Sequence, residues 1–211
     1  TTEIYTLSLH DALPIYLVVV GNSEALVSFT SLLTAYNSTI YFGRAGNANI
    51  SYADFGLGIW MYMLAPDGST TQTFDHCKFQ ASTNSIFLSG GTSLALSNCT
   101  FLGANSSYAI SLSKGGLNAT NLLFTGTWSG AIISGSGTAT AIVTASDFST
   151  VSTYAIMWQA TTSATFTGNN FGSSSSYFIY NSSGLSVSLA SSYFGGRSEE
   201  HTSELQSRQV I

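Results

Sequence analysis

Phenylalanine returns at a nearly constant interval along most of this chain. Phe55, Phe79, Phe101, Phe124, Phe148, Phe171 and Phe194 are separated by 24, 22, 23, 24, 23 and 23 residues. Phe29 extends the series by a further 26. An apolar residue precedes each later ring by five positions: Ile50, Phe74, Leu96, Ala119, Val143, Phe166 and Leu189. Another follows by eight or nine, at Phe87, Ile110, Ile132, Ile156 and Ile179. Stretches such as SLALSNCTF, TAIVTASDF and SATFTGNNF alternate with period two, as strands do. Ser, Gly and Asn divide each repeat into three such strands. A repeat this short cannot enclose a core of its own, so repeats must stack. Stacking sets equivalent residues about 4.8 Å apart along one axis, and Phe falls over Phe.

On these spacings the chain resembles the right-handed parallel β-helix, the pectate-lyase-like solenoid. The resemblance covers most of Phe29–Phe194 and implies an all-β fold of about seven coils of 22–24 residues. A leucine-rich repeat would need a regular Leu/Asn consensus and a helical segment, and neither is visible. The resemblance extends loosely to autotransporter passengers and polymorphic outer-membrane repeats, which carry Gly-Gly-Ala-Ile and Phe-x-x-Asn. Here only Gly130-Ala131-Ile132 matches. GLGIWMYMLAPDGSTTQTF breaks the rhythm with Trp60, Met61, Tyr62 and Met63, followed by a Pro66-Asp67-Gly68-Ser69 turn signal.

The two ends read differently from the middle. Thr1–Ile15 and Arg197–Ile211 resemble translated sequencing-library adapters and are expected to be non-native segments, leaving residues 16–196 as a β-helix domain fragment. That middle carries five acids (Glu24, Asp54, Asp67, Asp75, Asp147) and three bases (Arg44, Lys78, Lys114), a net charge of −2. So weak a charge argues against a nucleic-acid partner. No apolar run in it approaches the roughly 20 residues that span a bilayer. Ser, Thr, Gly, Ala and Asn dominate while Glu and Lys are scarce, a composition expected of an extracellular or cell-surface β-protein.

Candidate chemistry is sparse. Cys77 and Cys99 each precede a ladder Phe by two residues and are expected to stack inward on adjacent coils. They are either a disulfide or a pair of buried thiols. His76 beside them lacks zinc-like ligand spacing, so no metal is assigned. Asp54, Lys78 and Asp147 share the outward position before the ladder Phe. Asp54 and Lys78 are then neighbours, while Asp147 lies three coils on, about 14 Å away, too far to cooperate. No catalytic residue and no cofactor follow from this pattern. An outward row at Leu88, Ile133, Met157 and Tyr180, with Ser111 as its polar member, is expected to form an apolar stripe. Asn-x-Ser/Thr sequons at Asn37, Asn49, Asn98, Asn105, Asn118 and Asn181 are glycosylation acceptors in a secretory protein, and the abundance of Asn, Ser and Thr also generates them by chance. Two functions are consistent with the whole. One is a non-catalytic scaffold or adhesin presenting Ser, Thr, Asn and aromatic ladders to glycans or a surface protein. The other is a polysaccharide lyase or hydrolase whose acidic cluster lies partly beyond this segment.

Overall fold

The computed structural model describes residues 16–30, 38–42, 47–64, 70–81, 84–172 and 177–195. Pro66–Ser69, expected as a turn, lie outside these, as do Arg44, Thr1–Ile15 and Arg197–Ile211. The fold is an all-β solenoid with three walls, and every described strand pairing is parallel. The first wall is a sheet of eight strands among the described residues: Tyr16–Val20, Asn47–Ser51, Thr71–Asp75, Ser93–Ser97, Gly116–Thr120, Thr140–Thr144, Ala164–Thr167 and Val187–Ser188. A ten-stranded sheet covers the other two walls. Val27–Phe29, Ala53–Phe55 and Lys78–Ala81 belong to the second wall. Ser38–Phe42, Ile59–Met63, Asn84–Leu88, Tyr154–Trp158 and Tyr177–Asn181 belong to the third. Thr100–Leu112 and Leu123–Ser134 run through both.

The phenylalanine repeat becomes one column inside this tube. From Phe29 to Phe194, each ring stacks on the next with centroids 4.8–5.2 Å apart and planes within 15°. Strand spacing sets that distance, because parallel register holds equivalent side chains at one rung per coil. The preceding apolar site forms a second buried column, Ile50, Phe74, Leu96, Ala119, Val143 and Phe166, in unbroken register. A third runs through Met61, Ile86, Ile110, Ile132 and Ile156 on the last wall. Trp128 and Trp158 are fully buried, and each satisfies its ring N–H on a backbone carbonyl, of Thr125 and Thr162.

The corner between the first two walls is a single residue in the left-handed region. Tyr52, His76, Asn98, Asn121, Ala145, Gly168 and Ser191 occupy it, with φ between 50° and 66°. One such residue redirects the chain without spending a loop on it. Asparagine tolerates this conformation best among side-chain-bearing residues, and glycine needs no tolerance. Asn121 Nδ2 also donates to Asn98 Oδ1 at 2.7 Å, tying consecutive corners.

One reading of the sequence is corrected here. Phe87 was expected in the third inward column, but Ile86 fills it and Phe87 faces outward. The connection after Phe79 is shorter than in the repeats that follow it, so the inward isoleucine comes seven residues after the ring instead of eight or nine. With a side-chain period of two, that single residue exchanges faces.

Replacing one ring of the column should be costly, because neighbours on both sides are fixed by strand pairing and cannot collapse into the gap. Phe124→Ala is expected to lower unfolding free energy by about 3–5 kcal/mol. Urea denaturation followed by tyrosine and tryptophan fluorescence measures it, and a loss below about 1 kcal/mol would contradict the column's role.

Candidate binding surfaces

The third wall carries an aromatic face. In register along its outer side lie Tyr41, Tyr62, Phe87, Ser111, Ile133, Met157 and Tyr180. Tyr41 stacks on Tyr62 at 5.7 Å and Tyr62 on Phe87 at 4.9 Å. A second lane holds Tyr108, Tyr154 and Tyr177, three residues earlier in each coil. Tyr154 and Tyr177 stack at 5.2 Å. The two lanes meet: the Tyr154 ring lies edge-on to Tyr180 at 6.0 Å. Gly130 stands between Tyr108 and Tyr154 in the second lane, where a Cβ would lie 3.0 Å from Ile133 and 3.1 Å from the Tyr108 ring. Tyr41, Tyr177 and Tyr180 are 60%, 54% and 43% exposed.

Ile133, Met157 and Tyr180 therefore stand side by side on the surface, while Leu88 does not join them. Leu88 is fully buried in the column with Leu112 and Trp158, and Phe87 takes the outward place. The cause is the same short connection that shifted Ile86. Sequence reasoning also missed the second lane. Its signal was present in the recurring Tyr-Ala-Ile and Tyr-Phe-Ile triplets, whose tyrosines sit two residues before an inward isoleucine.

A shallow, open cleft of about 410 Å³ lies at the first corner, lined by Tyr52, His76, Lys78, Asn98 and two leucines among others. Part of its lining belongs to an insertion. Val20 pairs with Ser51 and Val27 with Ala53, so Asn22–Leu26 are extra residues at a corner that later coils turn with one. Asn22 holds this loop by accepting the backbone N–H groups of Glu24 and Ala25 through its side chain. On the floor, the Tyr52 ring stacks on the His76 imidazole at 4.7 Å. His76 Nδ1 is 2.8 Å from Asp75, which also accepts from Ser97 Oγ at 2.5 Å and Asn98 Nδ2 at 2.9 Å. Partial burial opposes ionisation of Asp75. The hydrogen bonds from Ser97, Asn98 and His76, with the charge of the imidazolium, outweigh it and hold the carboxyl below its ordinary 3.8.

Lys78 lies 3.5 Å from Asp54, which also accepts from Gln80 at 2.9 Å. This is a partly exposed pair of the kind worth about 0–1 kcal/mol. Asp147 is committed locally, accepting the Ser149 N–H at 2.8 Å and the Asn170 amide at 3.3 Å. Cys77 and Cys99 are buried free thiols, stacked in the column that includes Val27 and Ala53 and continues through Leu122, Ser146 and Asn169. Among the described residues no three His, Cys, Asp or Glu side chains come together as a metal-binding group. Among the described residues no helix is long and apolar enough to cross a membrane. Of the sequons, Asn49 and Asn118 share one outward row of the first wall, Asn98 and Asn181 spend their amide N–H on Asp75 and the Leu185 carbonyl, and Asn37 and the Asn105 side chain lie outside the described residues.

Because Asp75 has its pKa lowered by folding, its contribution to stability is complete above 3.8 and is lost as pH falls through the folded value. Thermal melts between pH 5 and about pH 2 should show a loss that Asp75→Asn reduces, and an unchanged acid slope in that variant would refute the assignment.

Residues 57–196 match the family model described as right handed beta helix region. No curated protein and no solved structure matches the chain.

Proposed function

The chain belongs to the right-handed β-helix family, and from that premise we propose that it is a non-catalytic binding scaffold working outside the cell or at its surface. The observation that carries this is the two-lane aromatic face of the third wall. It combines Tyr108, Tyr154, Tyr177 and Tyr180 with Ile133 and Met157 and has no charged side chain in either lane. Tyrosine suits such a surface because its ring buries apolar area while its hydroxyl donates and accepts. Rings stacked along the axis present their edges and hydroxyls outward, a row repeated about every 4.8 Å. A neutral glycan laid along that axis meets a similar step at each coil, its hydroxyls facing phenols and its C–H faces the aliphatic members.

A carbohydrate-active enzyme is the second reading, favoured by the cleft where Asp75 orients His76 near Lys78. An imidazole so held can act as a base. The scaffold reading has the larger continuous surface behind it, and each basic side chain of the cleft has its own carboxylate, His76 with Asp75 and Lys78 with Asp54.

Affinity electrophoresis of the full chain through gels containing neutral polysaccharides separates the two. Retardation is expected, and Tyr154→Ala or Tyr180→Ala should weaken it at least about fivefold with circular dichroism unchanged. Retardation insensitive to both tyrosines, or abolished instead by His76→Ala together with release of reducing sugar, would overturn the scaffold reading.

A further inference from the structure

Cys77 and Cys99 occupy one inward column on consecutive coils, and the Thr100 N–H donates to the Cys77 carbonyl at 2.9 Å. Parallel register therefore sets their Cα atoms about one strand spacing apart, roughly 4.8 Å, inside the range that a disulfide spans. Both thiols are buried. They also point toward nearby carbonyls, Cys77 to Ile50 and Asp75, Cys99 to Phe74 and Ser97. The two are not equivalent: Cys77 lines the corner cleft together with Ser23 and Leu26 of the Asn22–Leu26 insertion, and Cys99 does not line it.

The rest of the column ties its coils through side-chain oxygens. Further along, side chains tie coil to coil: the Leu122 N–H donates to Ser146 Oγ, the Ser146 N–H to Asn169 Oδ1 and the Asn169 N–H to Ser192 Oγ. At Cys77 and Cys99 that ladder gives way to sulfur.

We propose that Cys77 and Cys99 form an oxidisable staple, closed in the folded state by exchange with a small-molecule disulfide that enters through the corner cleft. Cys77 loses its proton and its thiolate attacks one sulfur of the incoming disulfide. A Cys77 mixed disulfide forms, and the first small thiol leaves carrying a proton. Cys99 then loses its proton and attacks Cys77 Sγ, and the second small thiol is expelled. Two protein thiols are oxidised to one disulfide, and one small disulfide is reduced to two thiols. The cleft favours this order, because Cys77 lines it and Cys99 does not; the electrostatics run the same way, interaction with Cys99 lowering the Cys77 thiol and interaction with Cys77 together with burial pushing the Cys99 thiol up. The closed staple adds a covalent coil-to-coil tie at the level where the column's side-chain oxygen ladder gives way to weaker sulfur hydrogen bonds.

The test is incubation of the native full chain with oxidised glutathione, quenching with N-ethylmaleimide, and intact-mass measurement. Wild type is expected to lose the mass of two hydrogens and to yield a crosslinked Cys77–Cys99 peptide on non-reducing digestion, with a higher melting temperature. Cys99→Ala should retain one glutathione on Cys77, and Cys77→Ala should react at Cys99 at least about tenfold more slowly than Cys77 does in wild type. The wild-type measurement decides even if a variant misfolds. A native chain that keeps both thiols while the urea-unfolded chain oxidises overturns the proposal, as does a mixed disulfide that collects on Cys99.

Discussion

Each coil of this protein contributes one phenylalanine to a stack that no coil could make alone. The strand spacing of a parallel sheet and the preferred separation of offset-stacked rings are nearly the same length, about 5 Å. Backbone hydrogen bonding and ring packing therefore demand the same geometry, and neither has to yield. The other inward columns inherit their register from this agreement. So do the outward rows, since a residue's face is set by its distance from the nearest ring.

What the solenoid does with its exterior follows from where the chain turns. A one-residue left-handed corner at Tyr52, His76, Asn98 and Asn121 stacks side chains that local sequence does not relate, and so sets an imidazole against a phenol and an amide against an amide. Asp75 is drawn into that corner by three donors. The described acids and bases gather mostly there and on the second wall, which leaves the third wall to Tyr, Phe, Ile and Met. This separation gives the molecule an uncharged aromatic face on one side and a small polar cleft on another, and it underlies the scaffold reading. The thiol pair belongs to the corner column, one step inside the cleft, where sulfur replaces a hydrogen-bonded ladder.

Much of the interior was legible from spacing alone. Seven rings at 22–24 residues are enough to require a stacked parallel coil, and the apolar site five residues before each ring fell into place because no turn intervenes with variable length. The third column was legible only in part. Between the ring and the last strand the connection varies by a residue or two, and a strand's period of two converts that variation into a choice of face. Leu88 and Phe87 changed places for this reason, while Ile133, Met157 and Tyr180 kept theirs.

The sequence by itself determined the architecture: a column of rings, three strands per coil, a surface poor in charge, and two cysteines in one register. These follow from one-dimensional intervals, because a solenoid maps sequence distance directly onto axial distance. Only the tertiary structure decided that Tyr108, Tyr154 and Tyr177 form a second lane touching the first, that Tyr52 covers His76, and that Ser23 and Leu26 line one cleft with Cys77. Those contacts join residues on different coils or across a bend, where direction in space depends on backbone dihedrals and connection lengths that periodicity does not encode.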